Sequence, residues 1–323
     1  MPSLTRREFL ATSGSCAAHL ALVAAVAPRA LRELWAARPR GPIVATEPFG
    51  RLERLADGVW ALVSTPLAGD YTTVSNGGII VGTHAVLAIE GFNTPRGAQW
   101  LAGKARELTG RWPTHVIVTH YHSDHSNGVA GYLADGHHAE FRTTQITRDE
   151  AIARNKPADD ARTAALRDAV LLSPTDAANF DLGGRAIGLL PHLGHTDSDV
   201  ALAIDDLDLV FCGDLFWNAM FPNYVDAIPS KLSESVRALR QRDARTYVPG
   251  HGAVGTPEDF ARYAAMIDDV ERAARRAHEA GTSAKDAAAA YEFPPSTGQW
   301  TLFGKTFVER GFTAWYRELD GTR

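Results

Sequence analysis

The sequence predicts an α+β fold in which two mixed β-sheets pack face to face with helices outside. Three observations predict it. Short strand-like runs open each half of the chain, helical stretches come later in each half, and Val116-Ile117-Val118 is a β-branched run of the kind buried in a sheet. With 323 residues, 45% of them apolar and 22% charged, the chain suits one large globular domain with an appendage, not a disordered or polytopic membrane protein.

The elements follow in order. Residues 36–49 are rich in Pro, Arg and Gly without an apolar period and read as a linker, so order begins near Arg51. Residues 58–63 and 78–81 read as strands, and 85–89 as a third after the turn Gly82-Thr83-His84. From Gln99 to Leu108 the residues Trp100, Leu101, Ala105 and Leu108 recur at near-helical spacing, and the strand after them stops at His120. In the second half Ala158 to Leu172 reads as an Ala-rich helix, 186–190, 200–204 and 209–212 as strands, and Ser230 to Arg240 as a helix. A last strand, Thr246 to Pro249, runs into Gly250-His251-Gly252, and Glu258 to Ala290 is strongly helical.

The N-terminus stands apart from this fold. Thr5-Arg6-Arg7-Glu8-Phe9-Leu10 precedes an apolar run from Ala17 to Ala27, an order that resembles a twin-arginine export signal. That run is short and interrupted by His19, so no permanent membrane span is expected. Residues 1–37 are therefore read as signal and start of the linker, 38–50 as linker, 51–260 as the main domain and 261–323 as a C-terminal helical extension packed on it. A periplasmic location and the Tat export machinery as partner follow from the signal. Cys16 lies within it and leaves Cys212 without an intramolecular partner for a disulfide. The net charge of −5 gives no basic footprint, which excludes nucleic acid as the main partner and favours a small-molecule substrate.

The chemistry centres on His120-Tyr121-His122-Ser123-Asp124-His125, directly after a buried strand. Three imidazoles and a carboxylate so close together suit a borderline-soft divalent metal. They cannot all face one ion. Residues two apart on an extended turn share a side, so His120 and His122 can grip one metal while Asp124 and His125 turn to another roughly 3.5–4 Å away. His195, Asp214 and His251 each follow an apolar strand and a glycine, and strand ends present side chains to a shared rim. Any one of these residues alone would be an ordinary turn residue.

The His-x-His-x-Asp-His pattern of His120 to His125, followed by Gly194-His195-Thr196, Gly213-Asp214 and Gly250-His251, resembles the metallo-β-lactamase superfamily over roughly residues 51 to 255. The resemblance implies an αββα four-layer sandwich. It also implies a first metal on His120, His122 and His195, a second on Asp124, His125 and His251, and Asp214 bridging both. The implied cofactor is two zinc ions per chain, with iron or manganese as alternatives. Cys212 would share a side with Asp214 on strand alternation; the Gly-Asp pattern favours Asp214 as the ligand, and Cys212 reads as a small buried hydrophobe. Glu90 stands where the family carries an aspartate that orients a ligand histidine.

The implied activity is that of a dinuclear zinc hydrolase, in which a metal-activated hydroxide attacks an ester, lactone, thioester or lactam carbonyl. Asp124 would orient or receive the proton of that water, and Tyr121 or Tyr224 could donate to the developing oxyanion, with packing as the other reading of both tyrosines. The alternatives are a mononuclear iron oxygenase of the persulfide dioxygenase type and a non-catalytic periplasmic metal-binding protein. The aromatic residues between Leu215 and Ile228 read equally as pocket lining and as a hydrophobic lid or dimer surface. No cationic trio for a glutathione carboxylate is evident near Ser230 and Lys231, and His84, His115, His137, His138, His192 and His278 read as solvent or packing residues.

Overall fold

A computed structural model describes residues 39–65, 69–154, 160–302 and 306–322. Residues 1–38, on which the expected export signal with Arg6, Arg7 and Cys16 falls, lie outside the described residues. Eight strands form one sheet in sequence order: β1 (Ile43–Glu47), β2 (Gly50–Ala56), β3 (Val59–Ser64), β4 (Gly77–Val81), β5 (Val86–Ile89), β6 (His115–Ile117), β7 (Glu140–Thr144) and β8 (Val170–Leu172). The first five are antiparallel and β5 to β8 parallel. A second sheet has the order β13 (Thr246–His251), β12 (Leu209–Trp217), β11 (Asp199–Ile204), β10 (Ala186–His192) and β9 (Ala178–Asp181), with β12 and β13 parallel.

Side-chain alternation sorts the strands into layers. On β3, Val59, Ala61 and Val63 enter a core between the sheets with Leu202, Ile204 and Phe211, while Trp60 and Leu62 face a second core beneath helix α1 (Pro95–Thr109). On the far side Ala201, Ala203, Val210 and Cys212 face a third core. Over that core lie α5 (Pro229–Gln241), α6 (Pro257–Glu279), α7 (Ala284–Ala290) and α8 (Thr306–Leu319). Between α1 and α5 in sequence are α2 (Ser123–Ser126), α3 (Gln145–Arg154) and α4 (Asp160–Arg167). The result is the expected αββα sandwich. Local chemistry sets the helix ends: Gly110 closes α1 at φ 73°, and Thr256 opens α6 through a reciprocal capping box with Asp259.

Several expectations need correction. Residues 43–47, read as linker, form the edge strand β1; Ile43 and Val44 are exposed, so the strand has no apolar period to read. The helix read from Ala158 to Leu172 ends at Arg167, and Val170–Leu172 pairs with β7 as β8. The helix read from Glu258 to Ala290 breaks at Gly281, whose φ of 70° is left-handed, before Ser283 caps α7. The boundary at 260/261 falls inside α6, and α6 to α8 bury Tyr263, Met266, Phe312 and Trp315 in the outer core of the second sheet. Among the described residues no helix is long and apolar enough to cross a membrane.

Candidate metal centre

Four chain segments meet at one edge of the sandwich. The loop after β6 carries His120, His122, Asp124 and His125, the loop between β10 and β11 carries His195, β12 carries Asp214, and β13 ends on His251. All seven side chains are buried, and His122 is the most exposed at 9%. Glycines allow the close approach. A Cβ on Gly250 would stand 1.9 Å from Asp214 Oδ1, and one on Gly194 (φ 146°) would lie 2.4 Å from the Leu232 backbone. On β12 the left-handed Gly213 (φ 51°) and the register shifts around it interrupt the alternation. Cys212 thus stays in the outer core, where burial pushes its thiol pKa up, while Asp214 reaches the site. Strand alternation, which puts both on one side, fails at this bulge.

Two groups of potential ligand atoms result, His120, His122, His195 and Asp214 in one and Asp124, His125 and His251 in the other. Asp214 spans them. Its Oδ2 is 3.0 Å from His195 Nε2 and 3.8 Å from His120 Nε2, while its Oδ1 is 3.1 Å from His125 Nε2 and 3.3 Å from His251 Nε2. Asp124 Oδ2 lies 3.3 Å from His251 Nε2, and His122 Nδ1 lies 2.9 Å from His195 Nε2. His120 Nε2, both Asp124 oxygens and His251 Nε2 make no hydrogen bond although they are buried. Orphaned polar atoms converging in this way are costly unless a cation satisfies them, so the donor set fits divalent ions.

The charged groups of the two clusters also act on one another. Burial works against the charge of His125, yet Asp214, Glu90 and Asp124 outweigh it and hold its pKa well above the usual imidazole value. Burial also opposes ionisation of Asp214, but His251, His125 and His195 hold its pKa well below the carboxylate range. His120 is depressed well below 6.5 by burial and then by the neighbouring His125.

Residues behind the ligands orient them. Glu90 Oε1 lies 3.0 Å from His125 Nδ1 and accepts from Thr119 Oγ1 at 2.6 Å, and His120 Nδ1 lies 3.0 Å from that same hydroxyl. The longer side chain of Glu90 therefore reaches the histidine expected of a family aspartate, from a backbone at φ 77°. Asp199 accepts from the backbone of His195 and Thr196, and burial pushes its carboxyl up to about 7 against those hydrogen bonds. The Trp217 ring sits 4.2 Å from the His251 ring, centroid to centroid. His122 Nε2 faces Asp226 Oδ2 at 3.0 Å, and Arg154 Nη1 donates to that oxygen at 2.6 Å. Burial opposes the charge of Asp226, but His122 and Arg154 hold its pKa well below the usual range.

Neither Asp226 nor Arg154 was legible as a site residue. One signal was there to use: Asp226 is the sole acid between Leu215 and Pro229. Of its two readings, oxyanion donor and packing residue, Tyr224 follows the second. Its ring packs in the outer core beside Phe221 and Gly311 of α8, and burial pushes its phenol pKa up. Tyr121 is buried under the Arg154 guanidinium, 4.4 Å from the ring centre. The aromatic stretch is neither pocket wall nor open lid for the most part, since Phe216, Met220, Phe221 and Tyr224 are core residues. The remaining histidines stay out of the clusters: His137 stacks on Trp112, His278 pairs with Asp320, and burial, followed by Arg242, lowers His192 to about 4.

Residues 91–251 match the family described as Metallo-beta-lactamase superfamily. These residues form a domain of that superfamily, and they contain all seven clustered side chains. The chain is 31% identical over 137 residues to a hydroxyacylglutathione hydrolase of Shewanella loihica, covering 42% of this chain and 46% of that protein. It is 28% identical over 150 residues to an acyl-coenzyme A thioesterase of Homo sapiens, covering 41% and 51%. The chain thus spans about half the length of the curated relatives it matches. Among solved structures, a metallo-beta-lactamase from Erythrobacter litoralis is 19% identical with a TM-score of 0.57, over 71% of this chain and all of that one. One from Pontibacter korlensis gives 19% and 0.56, over 67% and 98%. These two likenesses show the fold.

Proposed function

We propose that the chain is a dinuclear metallo-hydrolase, with zinc as the preferred ion and iron or manganese as alternatives, acting on a small carbonyl substrate. The observation that carries this reading is Asp214, which turns one oxygen toward each of two buried ligand clusters. His120, His122 and His195 would hold one ion, Asp124, His125 and His251 the other, and Asp214 both. Such a pair supplies Lewis acidity and brings the pKa of water from 15.7 to about 7. Asp124 would take the proton of the attacking water, because both of its oxygens are buried without a hydrogen bond at the meeting point of the clusters. Trp217 and the ligand side chains are buried, which would keep bulk water from a carbonyl bound beside them, and no serine or cysteine nucleophile is required.

Within the range of ester, lactone, thioester and lactam, thioesters are the first class to test, because one relative is named an acyl-coenzyme A thioesterase and another a hydroxyacylglutathione hydrolase, and an acyl group on the sulfur of either carrier is a thioester. A glutathione carrier is less favoured: Lys231, the cation nearest in sequence to the expected position, is exposed and paired with Glu234 at 2.7 Å. A second cluster as buried as the first also favours two ions over a mononuclear iron oxygenase. The Arg6-Arg7 leader adds export to the periplasm through the Tat machinery to the proposal.

The test loads the full chain with zinc and screens acyl thioesters, lactones and β-lactams. Two ions per chain and turnover of a thioester are expected. Asp214→Ala should lose both ions and lower kcat/KM on the order of 10³-fold or more, about 4 kcal/mol. Hydrolysis unchanged in that variant would refute the mechanism.

A further inference from the structure

The seven ligand side chains do not all rest on buried supports. Glu90 and Thr119, behind His125 and His120, are at most 2% exposed. His122 alone is backed by a group close to solvent, since the side chain of Asp226 is 22% exposed and that of Arg154 is 41% exposed. The contact joins three distant segments: Arg154 is the last residue of α3, His122 lies in the ligand loop, and Asp226 belongs to the turn between β12 and α5.

We propose that Asp226, itself held by Arg154, is the positioning residue for His122, fixing its ring so that Nδ1 faces the first cluster and thereby setting metal affinity there. This rests on the reading of that cluster as a metal centre. An ionised carboxylate only accepts hydrogen bonds, so at 3.0 Å from Asp226 Oδ2 the His122 Nε2 must carry the proton. The lone pair is then on Nδ1, the atom 2.9 Å from His195 Nε2 and inside the cluster. Had the ring the other tautomer, its proton would point at the ligand position. A carboxylate on the outer nitrogen of a metal-ligating histidine also raises its basicity and fixes its plane.

Arg154 does for Asp226 what Asp226 does for His122. Its Nη1 donates to the same Oδ2 at 2.6 Å, its Nε donates to Glu150 at 2.6 Å, and its guanidinium lies over the ring of Tyr121, the residue before His122. The guanidinium is thus fixed on three sides, and the Asp226 oxygen is fixed between a cation and an imidazole. The histidine is reached through an ion pair that solvent and nearby ligands can contest, whereas His125 is reached through a carboxylate sealed in the interior.

The experiment is a zinc titration of the full chain against a competing chelator, made on wild type, Asp226→Ala, Asp226→Asn, Arg154→Met and a His122→Ala control. Imidazole nitrogen NMR of the zinc-loaded protein runs alongside. Asp226→Ala is expected to weaken one of two bound ions by about 10- to 100-fold and leave the other unchanged. Asp226→Asn should fall between, because its amide oxygen still accepts from Nε2, and Arg154→Met should show the smaller loss at the same ion. In wild type the His122 proton should be on Nε2. If His122→Ala binds two ions as wild type does, the metal-centre reading fails and the positioning role with it. If His122→Ala loses an ion while Asp226→Ala keeps both at wild-type affinity, the positioning role alone is wrong. Should Asp226→Ala not fold, wild-type affinity in both Asp226→Asn and Arg154→Met overturns the proposal.

Discussion

The two ligand clusters share Asp214 and differ in what stands behind them. The cluster of Asp124, His125 and His251 is braced from the interior, where Glu90 meets His125 and Ser75 Oγ donates to the Asp124 carbonyl at 2.6 Å. The cluster of His120, His122 and His195 is braced by mixed means: the neutral Thr119 hydroxyl, backbone held by Asp199, and the partly exposed pair of Asp226 and Arg154. A carboxylate sealed at the centre is hard to perturb without damage to the fold, whereas one at the rim can be removed while the sandwich stands. The two sites should therefore respond differently to changes in their surroundings, although one residue joins them.

The largest effect is expected where the clusters are joined. Gly250→Ala would place a methyl group 1.9 Å from Asp214 Oδ1 and 2.9 Å from the Gly213 carbonyl, and backbone on that side leaves little room to yield. Both ions should be lost together and hydrolysis should fall by about 100-fold or more, with a stability cost of about 1–3 kcal/mol from overpacking. Metal analysis and thermal unfolding check this. Retention of one tightly bound ion would show that the clusters are less dependent on Asp214 than the geometry implies.

A finer test separates the two supports. Glu90→Gln keeps the shape but removes the charge beside His125, and should weaken the ion at Asp124, His125 and His251 by about 10- to 100-fold. A smaller effect should pass through Thr119 to His120. Chelator competition resolves the two equivalents, and the comparison breaks if Glu90→Gln and Asp226→Asn weaken the same ion.

The sequence made the ligands legible and their supports largely not, for a physical reason. Ligands at strand ends sit beside glycines and apolar runs, so His120 to His125, His195, Asp214 and His251 stand out locally. Supports such as Asp226 and Arg154 come from distant segments, 104 and 32 residues from His122, and acquire their role only when the chain closes. Alternation along β12 was misleading because Gly213 takes a left-handed φ that a one-letter reading does not specify. The same limit explains β1: an edge strand with Ile43 and Val44 exposed and only Ala45 packed on the core has no clear periodic signature. Tyr224 was drawn toward the site by its nearness to Asp214 in sequence, yet the chain after Trp217 turns its aromatic residues under α6 and α8.

The smallest expected effect concerns His192, a partly buried histidine on β10 that belongs to neither cluster. Its pKa is lowered to about 4, first by burial and then by Arg242, against about 6.5 in the unfolded chain. The sign follows from proton linkage: the unfolded chain takes up the proton first, so stability is retained above pH 6.5 and declines as the pH falls toward 4. His192→Asn lacks this titration. Measured by denaturant unfolding of the metal-free chain, its stability relative to wild type should improve by about 2 kcal/mol between pH 7.5 and pH 4.5. Metal-free protein matters here, because acid also protonates the ligands of both clusters and would mask the contribution of a histidine outside them. Parallel pH profiles for the two proteins would mean that His192 contributes nothing to the acid sensitivity, leaving the clusters and carboxylate supports such as Asp226 as its source.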